Sequence, residues 1–207
     1  MEKISAEVFT LKVFTYLGDL YHKKEIFHDA LNEVLLKNLA LLDLVKDQNI
    51  DLVLHEEPDL VVIGRSNLNE DNSRWLNELE VRTLTEYVKD GGKLFVWHAG
   101  LAGYPPDYTE LVGGRFIFHP QRALVKYFSA DGSSFEIVDE HYFVELRGNV
   151  EIFLWSESNC GRSTAGWKKR SECGKILALT PAHDEEGLND ERFRSLLAKS
   201  LRWLVEG

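Results

Sequence analysis

The chain has 207 residues, 44% hydrophobic and 28% charged, which suits one globular domain, 1–207, with a single core. Its 34 acidic against 24 basic residues leave a net charge of -10, which argues against binding the polyphosphate of nucleic acid. Two cysteines, Cys160 and Cys173, are too few for a disulfide framework and too far apart for a CxxC metal or redox motif, and they fit a reducing compartment. No stretch reaches the ~18 apolar residues that cross a bilayer. The start, Met1 to Glu7, lacks an apolar signal core, so the expectation is a cytoplasmic protein with no membrane partner.

Val8 to Tyr16 is rich in β-branched and aromatic residues and ends at Gly18, the pattern of a strand. Lys24 to Leu39 then places Phe27, Leu31 and Leu35 on one helical face. Leu41 to Lys46 reads as a second strand and Asn49 to Glu56 as a short helix or strand. Asp59 to Gly64 is a continuous apolar run, as a strand covered on both faces requires. Ser73 to Lys89 is helical by spacing, with Leu76, Leu79, Thr83, Tyr87 and Val88 on one face and Gly91-Gly92 closing it. Lys93 to Trp97 is another buried strand. Phe116 to Glu157 contains irregular extended segments expected at a sheet edge, which offers a pairing surface for a second copy in a homodimer. Ser158 to Glu172 is polar and reads as a hairpin or loop. Lys175 to Thr180 is a last buried strand, and Asp190 to Val205 a last helix. Alternating strands and helices in this order predict an α/β, flavodoxin-like, doubly wound and mainly parallel sheet with helices on both faces.

In such a sheet ligands bind at the carboxyl ends of the strands. Tyr21-His22 follows the first strand, His98 follows Lys93–Trp97, and His183-Asp184 follows the last strand. Parallel strand ends share one edge, so three imidazoles distant in sequence are expected to meet there. Imidazole serves as acid, base or metal ligand near neutral pH. Asp19, Glu140 and Asp184 supply carboxylates that leave a divalent metal open, although no HExxH spacing is present. Neither a GxGxxG nor a GxxxxGK[ST] phosphate loop occurs. His98 stands where hydrolases of this architecture carry a Ser or Cys nucleophile.

Gly91-Gly92-Lys93-Leu94-Phe95-Val96-Trp97-His98-Ala99-Gly100 resembles a family pattern of the form GGGLVGLHAA. Glu110 to Phe116 with His119-Pro120, then Asp139-Glu140-His141-Tyr142, and finally Ala182-His183-Asp184 follow in the family's order. Together they resemble the trehalose-utilisation (ThuA-like) family, within the class I glutamine amidotransferase-like superfamily of flavodoxin-like fold. The likeness runs from Tyr21-His22 to the last helix. The chain departs from the pattern in a shortened segment, Ala130 to Ser134, and in its loop after the first strand.

The resemblance implies a role in sugar metabolism, on keto sugars or glycosides. His22, His98, Glu140 and His183 match the family's polar positions. With no Cys at the elbow, thiolate-dependent glutamine hydrolysis is not expected. The expected catalytic set is His98 and His183 as acid and base with Glu140 orienting one of them or binding hydroxyls. Tyr21, His22, His119, Tyr142 and Asp184 are expected to contact a small-molecule sugar, and Tyr104 or Trp97 to stack on its ring, with Trp97 read rather as a core residue. Two alternatives remain open: a non-catalytic carbohydrate or metabolite binding protein, and a metal-dependent hydrolase.

Overall fold

A computed structural model describes residues 10–38, 41–46 and 49–206. The expected strand start at Val8 and helix end at Leu39 lie outside these residues. The elements are β1 (Thr10–Leu17), α1 (Lys24–Asn38), β2 (Leu41–Lys46), α2 (Ile50–Leu54), β3 (Leu60–Gly64), α3 (Glu78–Lys89), β4 (Lys93–Trp97), α4 (Pro106–Val112), β5 (Gly114–Phe118), β6 (Ala123–Ser129), β7 (Ser134–Asp139), β8 (Phe143–Leu146), β9 (Glu151–Ser158), β10 (Gly161–Ser171), β11 (Gly174–Leu179), α5 (Glu185–Asn189) and α6 (Glu191–Val205). A 3₁₀ turn, His98–Leu101, links β4 to the loop before α4.

One sheet runs β2-β1-β3-β4-β11-β10-β9-β6-β7. Its first five strands are parallel, in the flavodoxin-like order, and the rest are antiparallel. β3 and β11 are buried at every position, as strands covered on both faces must be. One face packs Phe27, Leu31 and Leu35 of α1 with Phe193, Leu197 and Leu201 of α6. The other packs Ile50 of α2, Val81, Leu84 and Val88 of α3, and Tyr108 of α4.

Two expectations are corrected, one for α3 and one for β5 and β8. α3 begins only at Glu78, because Asn77 accepts from the Leu79 and Glu80 amides while the Glu80 carboxylate accepts from the Asn77 amide. Its inward stripe is Val81, Leu84 and Val88, uninterrupted and apolar, and Leu79 is exposed. Of the two readings of the polar segment after Ser158, hairpin or loop, it is the hairpin that forms, with β10 as its long inner strand and burial confined to Ala165, Gly166 and Trp167. β5 and β8 leave the main sheet to form a two-stranded ribbon.

The antiparallel half is strongly curled. Four strand spacings separate β11 from β7, about 19 Å in a flat sheet. Yet Asp139, at the end of β7, accepts a hydrogen bond of 2.7 Å from the Ala182 amide just beyond β11. A bulge at Gly166 breaks the β9–β10 register and supplies part of the bend. Alternation of direction also turns the carboxyl end of β7 toward the same edge as those of β1, β4 and β11. Curling then brings the Asp139-Glu140 pair over that edge.

The turn after β4 is tightly fitted. A Cβ on Gly100 would lie 2.2 Å from the Ile63 carbonyl oxygen, so Gly100→Ala forces the turn away from β3. The expected cost is about 1–3 kcal/mol, seen as a lowered urea midpoint at unchanged slope.

Candidate functional site

The structure brings His22, His98 and His183 together. Ring centroids are 5.1 Å apart for His22 and His98, 5.7 Å for His98 and His183, and 6.5 Å for His22 and His183. Each ring is held by its Nδ1 atom. His22 Nδ1 donates to Asp19 Oδ1 at 2.7 Å, His98 Nδ1 to the Thr180 carbonyl at 2.6 Å, and His183 Nδ1 to Asp139 Oδ1 at 2.6 Å. A carbonyl or carboxylate can only accept, so each Nδ1 carries a proton and each neutral ring offers a bare Nε2. Glu140 sits among them, with Oε2 3.3 Å from His98 Nε2 and 3.9 Å from His22 Nε2. The second distance is too long for a hydrogen bond, and His22 Nε2 is buried with no hydrogen-bond partner among the described residues.

The holders are themselves built in. Asp19 also accepts from the amides of Tyr21, His22 and Ser66. Asp139 is 1% exposed and accepts from Tyr127 Oη and the amides of Glu140, Ala182 and His183 as well as from the His183 ring. His98 and Ala182 both take positive φ, 47° and 68°, a conformation disfavoured for residues with a side chain and held here by the close packing of both turns.

Electrostatics follow from these contacts. Burial opposes charge on His22, but the Asp19 hydrogen bond and the Glu140 carboxylate outweigh it and raise its pKa to about 9. Burial pushes His98 down, toward the neutral form. Burial also works against the Glu140 carboxylate, yet the imidazoles of His22 and His98 hold it well below the usual carboxylate range. Asp139 is likewise held low, its burial outweighed by the His183 hydrogen bond and neighbouring imidazoles.

The remaining expected site residues divide. His119 reaches the rim, with Nε2 3.9 Å from Glu140 Oε2. Tyr142 stacks on His98 at 3.9 Å between centroids and is buried, so it supports that ring. Asp184 caps α5 through the Gly187 amide, pairs with Arg122, and lies 3.9 Å from His183 Nε2. Tyr21 is exposed outside the cluster. Trp97 and Tyr104 are not free to stack on a sugar. Trp97 is fully buried and donates to the Pro181 carbonyl, while Tyr104 stacks on Tyr108 and donates to the Arg65 carbonyl. Beside Asp19 and His22 a groove of about 650 Å³ opens, lined also by Lys23, Arg65, Asn69, Glu70 and Asp71. Cys160 and Cys173 are free and exposed, neither in contact with the cluster.

Asp139 stands in the sequence only as one member of the Asp139-Glu140-His141-Tyr142 motif, yet it anchors His183. Its signal was periodicity: Phe135, Ile137 and Asp139 share the inward face of β7, and a carboxylate on an apolar face needs partners.

No curated protein matches the chain in sequence. Among solved structures, a ThuA-like protein from Parabacteroides merdae has a TM-score of 0.74 at 18% identity, covering 96% of this chain and 91% of that one. A ThuA-like protein from Bacteroides uniformis has a TM-score of 0.72 at 14% identity, covering 97% and 94%. A β-galactosidase from Bacillus circulans shares the fold over 97% of this chain but 32% of its own, with a TM-score of 0.67 at 9% identity. At these identities the likeness is one of fold. No helix among the described residues is long and apolar enough to cross a membrane. The profile of the trehalose utilisation family, ThuA, matches residues 13–204, and the chain belongs to that family.

Proposed function

We propose that the protein is an acid–base enzyme acting inside the cell on a carbonyl-bearing sugar, a keto sugar or keto-glycoside, through its histidine–carboxylate cluster. The observation that carries this reading is the convergence of three imidazoles, each tied back through Nδ1, around one partly exposed carboxylate. A proton on a carbon next to a carbonyl is acidic enough for imidazole to move, whereas an unactivated sugar C–H is not. His183 Nε2 has no protein hydrogen bond among the described residues and is backed by Asp139, which suits it to take that proton. The negative charge then developing on the carbonyl oxygen falls beside His22, the positive pole of the cluster. The polar groove beside His22 offers Arg65, Asn69 and Asp71 to sugar hydroxyls. The family's association with trehalose utilisation supports a carbohydrate substrate.

The test is solvent exchange. Keto-glycosides and their parent sugars are incubated with the protein in D2O and followed by proton NMR. Loss of the signal next to the carbonyl, in the keto forms alone, is the expected result. A ligand that raises Tm but is recovered without exchange or turnover would make this a binding protein and end the catalytic reading.

A further inference from the structure

We propose that Nε2 of His22, Nε2 of His98 and a carboxylate oxygen of Glu140 form a binding site for one divalent first-row transition-metal cation of the zinc class. The inference deepens the reading above. It uses the same cluster, but it rests on the donor geometry and not on the sugar chemistry.

The Thr180 carbonyl fixes the His98 proton on Nδ1, so Nε2 of the neutral ring points a lone pair at the Glu140 carboxylate only 3.3 Å away. Asp19 fixes the His22 proton on Nδ1 in the same way, and His22 Nε2 is buried with no hydrogen-bond partner among the described residues. With His22 in its neutral form, two lone pairs and a carboxylate face one another and repel unless something positive lies between them. A proton on one ring relieves one contact; a cation satisfies all three donors together.

Geometry agrees. The three donor atoms lie within 4.8 Å of one another, with two of the separations 3.3 and 3.9 Å. Bonds of about 2.0–2.2 Å at tetrahedral angles require donors roughly 3.3–3.5 Å apart, a spacing that the His98–Glu140 pair already has and that the His22–Glu140 pair reaches by closing some tenths of an ångström. Two imidazoles and one carboxylate are a donor set for zinc and for iron(II) or manganese(II), not for calcium or magnesium. The holders are those a metal site uses. Ligating histidines give their other N–H to a carboxylate or backbone carbonyl, here Asp19 and Thr180. Glu140 is part-exposed, which leaves a route from solvent, and His183 lies beside the three donors. On binding, the cation replaces the proton on His22 as the positive pole of the site.

The experiment uses the full chain, freed of metal with a chelator and then titrated with Zn(II), Mn(II) or Fe(II) by calorimetry, with elemental analysis of the protein as purified. About one Zn(II) per chain is expected, with a rise in Tm. Glu140→Gln and His22→Gln should each weaken binding by at least about tenfold, and Asp19→Asn by about 10–100-fold. His183→Gln should leave affinity within about threefold, since that ring is not among the ligands. Circular dichroism verifies that each variant is folded. Should His22→Gln fail to fold, the part-exposed Glu140→Gln carries the test. Absence of stoichiometric binding, or equal binding by wild type and Glu140→Gln, overturns the site. Binding without exchange on any keto sugar would leave the metal site standing and remove the sugar reading; exchange without a cation would do the reverse.

Discussion

Replacing His183 with alanine is expected to cut turnover of a keto-sugar substrate by about 10²–10⁴-fold, the range a positioned general base contributes. The loss should fall on kcat, because the ring is assigned to the proton in flight rather than to holding the sugar. The fold should survive. His183 is part-buried, with its side chain 10% exposed, and Asp139 keeps Tyr127 Oη and three backbone amides as donors when the imidazole goes. His183→Ala thus separates chemistry from architecture better than His98→Ala, which removes a fully buried ring stacked on Tyr142. The measurement is NMR exchange next to the carbonyl at saturating substrate, with KM and the urea midpoint alongside. A kcat within about twofold of wild type would end the assignment of His183 as the base.

Much of the frame was legible because parallel strands buried on both faces are written as continuous apolar runs. Leu60 to Gly64, Lys93 to Trp97 and Lys175 to Leu179 carry that signal without ambiguity. Their order, with helices between, implied that His22, His98 and His183 leave the sheet at one edge, and their rings lie within 6.5 Å of one another. The antiparallel half was less legible. β10 is polar over much of its length because only Ala165, Gly166 and Trp167 are covered, so no period-2 signal rises above the lysines and arginines. Nor does local pattern show that the sheet curls. That bend, centred near the Gly166 bulge, decides that Glu140 joins the histidines instead of standing about four strands away. Tyr142 illustrates a different limit. An aromatic beside polar motif residues reads as a substrate platform, but it is spent on packing His98.

The bend makes Asp139 the residue on which the site's assembly turns. It ties β7 to the segment after β11 through the Ala182 amide and holds the His183 ring, all at 1% exposure. Asp139→Ala is therefore expected to lower stability by about 3–5 kcal/mol, because it strands a buried Tyr127 hydroxyl and two or more amides that lack water. For a chain of this size that is on the order of 10 °C in Tm. Asp139→Asn should fall between, since its carbonyl can still accept on one side while its NH2 group meets donors on the other. Folding lowers the Asp139 pKa, so its contribution is complete above the unfolded carboxylate value of about 3.9 and is lost as pH falls through the lower folded value. The gap between wild type and Asp139→Ala in urea unfolding should hold from neutral pH down to about 4 and narrow only in stronger acid. A gap that instead widens as pH falls from 7 to 5 would mean that Asp139 folds in its protonated form. His183 would then lose its anionic partner, and the proton-transfer role given to that ring would fail with it.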